Sequence, residues 1–226
     1  MEKEKEWTKL AASLWNERAS YWHSSSQNMW EEGSRKKAVA FFEKFVPKQG
    51  EVLDIGCGDG YGSWKLYKAG YKVKGIDLSE EMISLAKKHE VPERLTFMEG
   101  DMLHLPFEEE RAEGIMAINC IEWVPDPLKA VKGMHRVLKK EGYLCAAVLG
   151  PSAEPRKASY GRLYHKPAVC NTMMPWEFKQ LAEENGFKLK AYEPVYKRGV
   201  NSEMADALPE VLRQSLSFLC LFMLQK

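Results

Sequence analysis

Residues 52–63 read VLDIGCGDGYGS, an apolar run that ends in an aspartate and opens into a turn with glycine at positions 56, 58, 60 and 62. An apolar run of that length is strand-like, and the residues after the turn suit a helix. A strand, a glycine-rich turn and a helix place free backbone N–H groups beside a positive helix end, which suits an anion or a nucleotide. Glycines there either admit a ligand close to the main chain or allow a tight turn to pack. The dinucleotide fingerprint G-x-G-x-x-G fails in every register: the sixth residue is Tyr61 counted from Gly56, Ser63 from Gly58 and Lys65 from Gly60. No G-K-[ST] follows, which excludes a P-loop.

The rest of the chain alternates. Strands are expected at 51–55, 71–76, 95–98, 114–119 and 143–149. Helices are expected at 61–69, from the Ser79 cap to 89, and at 128–138. Regular β-α-β-α order means a parallel sheet with helices on both faces. Residues 1–46 read as an N-terminal helical cap and 47–150 as the α/β core. Residues 151–226 read as a lid segment, a helix opened by Pro175 and two further strands that complete the same domain. Trp7, Trp15, Trp22 and Trp30 recur at helical spacing, but Ser24–Ser26 and Gly33 favour two or three helices over one. Those indoles either fill a core or cover a ligand.

Composition excludes several classes. With 45% apolar and 29% charged residues the chain is globular rather than disordered. A net charge of +1 gives no field toward nucleic acid or an anionic membrane. The five cysteines have neither C-x-x-C nor Cys/His zinc spacing, so no metal site is expected. Scattered thiols and a first segment, MEKEKEWTKL, without an apolar stretch fit a cytoplasmic protein. The most apolar run, LSFLCLFML at 216–224, is about half the ~20 residues a membrane helix needs and reads as a buried strand.

Three further stretches carry chemistry. Asp77 in GIDLS lies 21 residues after Gly56, where an acidic side chain can accept both hydroxyls of a ribose. Ser79 already supplies the helix cap, which frees Asp77 for that role. Asp101 in EGDMLHLPF sits at the carboxyl end of the third strand, where a carboxylate can accept from an exocyclic amine. NCIEWVPDP, 119–127, closes the fourth strand.

In this order and spacing, EVLDIGCGDGYGS, GIDLS, EGDMLHLPF and NCIEWVPDP resemble the class I S-adenosylmethionine (SAM)-dependent methyltransferases, most closely the group that methylates small molecules. The likeness covers 51–149. It implies a Rossmann-like seven-stranded sheet whose last strand is antiparallel, with SAM as cofactor and S-adenosylhomocysteine as product. It also implies residue roles. Asp54 orients the turn and holds the methionine amino end. Gly56, Cys57, Gly58 and Gly60 bring the backbone to the methionyl and ribose parts. Asp77 binds the ribose diol, Leu78 packs on the adenine, and Asp101 and the Met102 N–H meet the adenine edge. The Asn119 carbonyl faces the ammonium. LWNERASYW, 14–22, resembles a helix that caps SAM, and it places Tyr21 beside the sulfonium. Arg35 either pairs with the cofactor carboxylate or is a surface charge.

One departure stands out: relatives that carry Glu-His after the fourth strand have Glu122-Trp123 here, so a histidine base is missing. Trp123 either walls a pocket or packs on Trp64. Candidates for a base are Glu122 and, in the covering segment, Tyr160, Tyr164 and His165. Methyl transfer is an in-line displacement that needs reacting atoms about 3–3.5 Å apart and a base only for a protonated acceptor. The reading is a methyltransferase acting on a small, partly apolar acceptor. The alternatives are a silent SAM- or S-adenosylhomocysteine-binding protein and an NAD(P)-dependent oxidoreductase.

Overall fold

A computed structural model describes residues 2–226. The chain opens with α1 (Glu2–Glu31) and α2 (Ala38–Glu43), then alternates: β1 (Glu51–Ile55), α3 (Tyr61–Lys68), β2 (Lys72–Asp77), α4 (Glu80–Ala86), β3 (Leu95–Glu99), β4 (Ala112–Ile118), α5 (Pro127–Val137) and β5 (Leu138–Leu149). A 3-10 segment, Glu154–Tyr164, starts the cover. Next come α6 (Pro175–Glu184), β6 (Lys188–Tyr196), α7 (Ser202–Asp206), α8 (Glu210–Leu216) and β7 (Ser217–Gln225).

The seven strands form one sheet in the order β3-β2-β1-β4-β5-β7-β6. β1 pairs in parallel with β2 and with β4, while β7 runs antiparallel to both β5 and β6. This is the expected seven-stranded α/β sheet with its last strand reversed. The chain moves outward from β1 to β3, then crosses back to β4. The crevice between the carboxyl ends of β1 and β4 is therefore the switch point where such sheets bind ligands.

Every residue of β1 is buried, as expected of a strand covered on both faces. Alternate residues serve the two sides. Leu53, Ile55 and Ile115 face the core that holds Val131, Met134 and Phe178 of α5 and α6. Val52 and Met116 face the core that holds Phe41, Phe42 and Leu66 of α2 and α3. Ser79 caps α4 as expected, its Oγ accepting from Met82 N at 3.1 Å. A third, smaller cluster joins α1 (Ala11), Trp123, Leu149 and the cover (Ala153, Val169, Cys170).

Of the two expected breaks, the one at Gly33 occurs, between α1 and α2, and the one at Ser24–Ser26 does not. The serines carry the helix through by bonding back to the preceding turn: Ser24 Oγ donates to Tyr21 O at 2.7 Å and Ser25 Oγ to Trp22 O at 3.1 Å. Before β7 the chain forms two short helices, α7 and α8, separated at Pro209, which is tolerated just before α8 and would not be in a helix interior. Among the described residues no helix is long and apolar enough to cross a membrane.

Candidate functional site

The crevice at the ends of β1, β2 and β4 is covered by α1 and holds about 880 Å³ of space, including its opening to solvent. The turn after β1 forms its floor. Gly56 N and Cys57 N both donate to Ile76 O, at 2.8 and 3.1 Å, which ties the turn to β2. Gly58 N donates to Asp77 Oδ2 at 2.8 Å, and Ser79 N donates to Asp77 Oδ1 at 3.0 Å. Each oxygen of Asp77 keeps a lone pair for a ligand donor. Burial raises the Asp77 carboxyl above its ordinary value, opposed by the N–H groups of Ser79, Gly58 and Leu78.

The four alternate glycines have different reasons. A Cβ on Gly58, at φ +55°, would meet nothing nearer than Trp22 Nε1 at 3.5 Å, so this position has room beside the crevice. A Cβ on Gly56 would lie 2.4 Å from Cys120 Cβ, on Gly60 2.8 Å from Ala86 Cβ, and on Gly62 2.3 Å from the Trp30 ring. Gly60 and Gly62 therefore serve packing by α4 and α1 rather than a ligand.

Asp54 is 3% exposed and accepts from Ser63 Oγ at 2.6 Å. Burial pushes it up to about 7, with the Ser63 bond pulling the other way. Asp101 caps the short turn Met102–His104: its Oδ1 accepts from Leu103 N at 2.9 Å, and its Oδ2 lies 3.4 Å from His104 Nδ1. Leu78 and Met102 also line the crevice. Asn119 has φ +53°, and its carbonyl accepts from Trp123 Nε1 at 2.8 Å. One lone pair of that carbonyl is thus already used.

Arg35 is the strongest electrostatic feature. It is 7% exposed and lines the crevice, its guanidinium carbon 4.5 Å from the centre of the Trp22 ring and 5.7 Å from that of Trp30. Its Nε is buried without a partner, and no carboxylate pairs with it among the described residues. Burial lowers its pKa to about 10, so it stays charged at neutral pH. A buried, unpaired guanidinium costs stability unless an anion completes it.

Other expected positions lie elsewhere. Tyr21 is 77% exposed, because the helical step turns it outward while Trp15 and Trp22 face the crevice. The structure thus corrects the expectation of Tyr21 beside the sulfonium. Glu122 is fully buried outside the crevice lining, its Oε1 accepting from Leu149 N at 2.6 Å. Burial raises its carboxyl, and that Leu149 bond ties it to the end of β5. Tyr160, Tyr164 and His165 are exposed, and none lines the crevice. A base from Tyr160, Tyr164 or His165 would require the cover to move. Trp123 packs edge-on to Trp15 at 5.2 Å, whereas Trp64 stacks near Tyr61 and His89.

The sequence reading missed Asp59. It is buried, accepts from Ser26 Oγ at 2.8 Å, and lies 2.8 Å from His23 Nδ1, so the turn itself grips α1. The only signal was an acidic residue between two glycines, which has no single meaning.

Residues 53–146 match the family described as a methyltransferase domain. The chain is 29% identical over 154 residues to the biotin biosynthesis bifunctional protein BioHC of Teredinibacter turnerae, covering 63% of this chain and 27% of that protein. It is 33% identical over 109 residues to the ubiquinone biosynthesis O-methyltransferase of Coxiella burnetii, covering 47% of each. These matches span less than half the length of either relative. Among solved structures, the S-adenosylmethionine-dependent methyltransferase of Mesorhizobium loti aligns over 87% of this chain and 99% of its own, with a TM-score of 0.67 at 17% identity. That likeness is one of fold.

Proposed function

We propose that this chain, whose residues 53–146 match a methyltransferase domain, is a class I, SAM-dependent methyltransferase that acts on a small, partly apolar acceptor. SAM supplies a methyl group already attached to a good leaving group. The chain's own residues hold, orient and exclude water.

The observation that carries the reading is the unpaired Arg35 guanidinium in a crevice otherwise rich in carboxylates. A zwitterionic amino-acid end fits that arrangement: Arg35 takes the carboxylate, and Asp54 with the Asn119 carbonyl takes the ammonium. Asp77 takes the ribose diol with its free lone pairs. Leu78, Met102 and Asp101 form the adenine slot. The remaining walls, Trp15, Trp22, Trp123 and Val124, are apolar, which supports an acceptor with an apolar body. No histidine, lysine or tyrosine lines the crevice among the described residues. With the lining carboxylates assigned to the cofactor, this reading favours an acceptor atom already nucleophilic at neutral pH, as a thiolate, carboxylate or acidic phenol is. The biotin- and ubiquinone-pathway names of the relatives are compatible with a small acceptor.

Calorimetry with S-adenosylhomocysteine, SAM and NAD tests the reading. The adenosyl ligands are expected to bind near micromolar, about −8 kcal/mol, with Asp77→Ala at least about tenfold weaker and no heat from NAD. Binding of NAD alone would sink it. Binding of the adenosyl ligands with no transfer to any of a panel of thiols, carboxylates and phenols would leave a silent binder.

A further inference from the structure

The cover hydrogen-bonds the turn at 121–124, beside the crevice, through one asparagine. Asn171 lies between the 3-10 segment and α6, in irregular chain. Its backbone N donates to Glu122 O at 2.8 Å. Its Nδ2 donates to Ile121 O at 2.8 Å and to Val124 O at 2.9 Å, and its Oδ1 accepts from Met173 N at 3.0 Å. The three carbonyls it takes belong to residues 121, 122 and 124, which flank Trp123 on both sides. That short turn has few internal partners for its carbonyls, and one primary amide supplies two donors at a fixed angle.

Trp123 is in turn committed at both ends. Its carbonyl accepts from Trp7 Nε1 at 2.8 Å, and its own Nε1 donates to Asn119 O at 2.8 Å. Asn119 is the residue where β4 ends in a left-handed conformation, with its Nδ2 buried and unpartnered. A left-handed peptide of this kind persists only when its surroundings fix it. With one bond made, that carbonyl keeps a single lone pair, so its direction decides whether it can meet a ligand donor.

We infer that Asn171 is a positioning residue for the donor pocket: it clamps the 121–124 turn, sets the Trp123 indole, and through that indole aims the Asn119 carbonyl into the crevice. Cover and pocket are then coupled through hydrogen bonds rather than through a base. The ligand half of this inference rests on the SAM reading above; the clamp itself does not.

The test uses the full chain with Asn171→Ala, Trp123→Phe and the double variant. The first readout is hydrogen exchange of the indole Nε1–H groups by NMR. In Asn171→Ala the Trp123 indole is expected to exchange roughly tenfold faster, with the Trp30 indole unchanged as control. An unchanged Trp123 indole overturns the clamp, and this arm needs no change at Trp123 itself. The second readout is affinity for S-adenosylhomocysteine. Each single variant is expected to bind about fivefold more weakly, as loss of one neutral hydrogen bond implies. The double variant is expected to bind no more weakly than the weaker single, because both act through one carbonyl. Additive losses overturn the relay from Asn171 through Trp123. If the unsubstituted chain binds no S-adenosylhomocysteine, the donor reading fails, and the exchange result alone upholds or overturns the clamp.

Discussion

The glycine turn and the helix α1 over it are built by opposite means. The turn at 56–60 is fixed by the main chain: its N–H groups bond Ile76 O and Asp77, and its glycines sit at positive φ or against a neighbouring side chain. The helix above it is fixed by a few side chains. Of the thirty residues of α1, only Ala11, Ala19, Ser26 and Trp30 are buried. It is held by Ser26 and His23 on Asp59, Asn16 on Ser79 Oγ, and Trp7 on Trp123 O. A floor made from backbone tolerates little change. A roof pinned by scattered polar contacts can lift to admit an acceptor.

The sharpest way to break the comparison is to damage the floor. We predict that Gly60→Val, at φ +79° with its Cβ 2.8 Å from Ala86 Cβ and from the Phe97 ring, costs about 3 kcal/mol from the left-handed backbone and overpacking together. Thermal unfolding is expected roughly 6–12 °C lower. Gly58→Ala has open space and is expected to cost only about 1 kcal/mol of stability, with its larger effect on adenosyl-ligand affinity. Equal losses of stability in the two variants would mean that the turn does not divide into a packing half and a ligand half.

Arg35 sharpens the contrast from the roof side. Arg35→Met is expected to weaken S-adenosylhomocysteine binding roughly ten- to a hundredfold, since a charge-assisted bond is lost. Stability is expected to hold or rise, because an unpaired buried charge leaves. A fall in melting temperature with unchanged affinity would make Arg35 a structural stack on Trp22 and no ligand group.

The same division explains what could be read from the residues. Strands and turns dictated by main-chain needs were legible: β1 falls at Glu51–Ile55, Ser79 caps α4, and the reversed final strand occupies the run read as a buried strand. The carboxylates Asp54, Asp77 and Asp101 all line the crevice as read. What was not legible depends on long-range side-chain partners. Ser24–Ser26 look like a helix break until their hydroxyls are seen on the preceding turn and on Asp59. Tyr21 and Trp22 are neighbours in sequence, and nothing local says which of them faces inward. Gly62 looks like part of the ligand loop, but it makes room for Trp30, thirty-two positions earlier.

Asp54 gives a smaller effect with a defined sign. Its ordinary value of 3.8 rises to about 7 on burial. Between about pH 4 and 7 the unfolded chain has lost this proton and the folded chain has kept it, so rising pH favours unfolding. The stability of Asp54→Asn relative to the parent is therefore expected to grow from pH 4 to 7, by about 1–2 kcal/mol after relaxation, and to level off above 7. Adenosyl-ligand affinity of the parent is expected to tighten over pH 6–8, because an ammonium selects the ionised carboxylate. A pH-independent difference in stability between the two would show that Asp54 ionises normally in the folded chain.

The smallest effect is predicted for the residues the sequence offered as bases. Tyr164 is 63% exposed, and its hydroxyl lies 3.3 Å from that of Tyr160; His165 ends the 3-10 segment at φ +56° in solvent. Tyr164→Phe and His165→Gln are expected to change stability by no more than about 0.5 kcal/mol, as surface substitutions do. Once an acceptor is in hand, kcat is expected to stay within about twofold in both variants, because proton removal by a side chain typically contributes at least about a hundredfold where it is used. A hundredfold fall in kcat for His165→Gln, with KM unchanged and the acidic limb of the pH profile lost, would mean that the cover folds down over the acceptor and brings an imidazole to it. The cover would then be part of the chemistry, and its difference from the floor would lie in timing rather than in role.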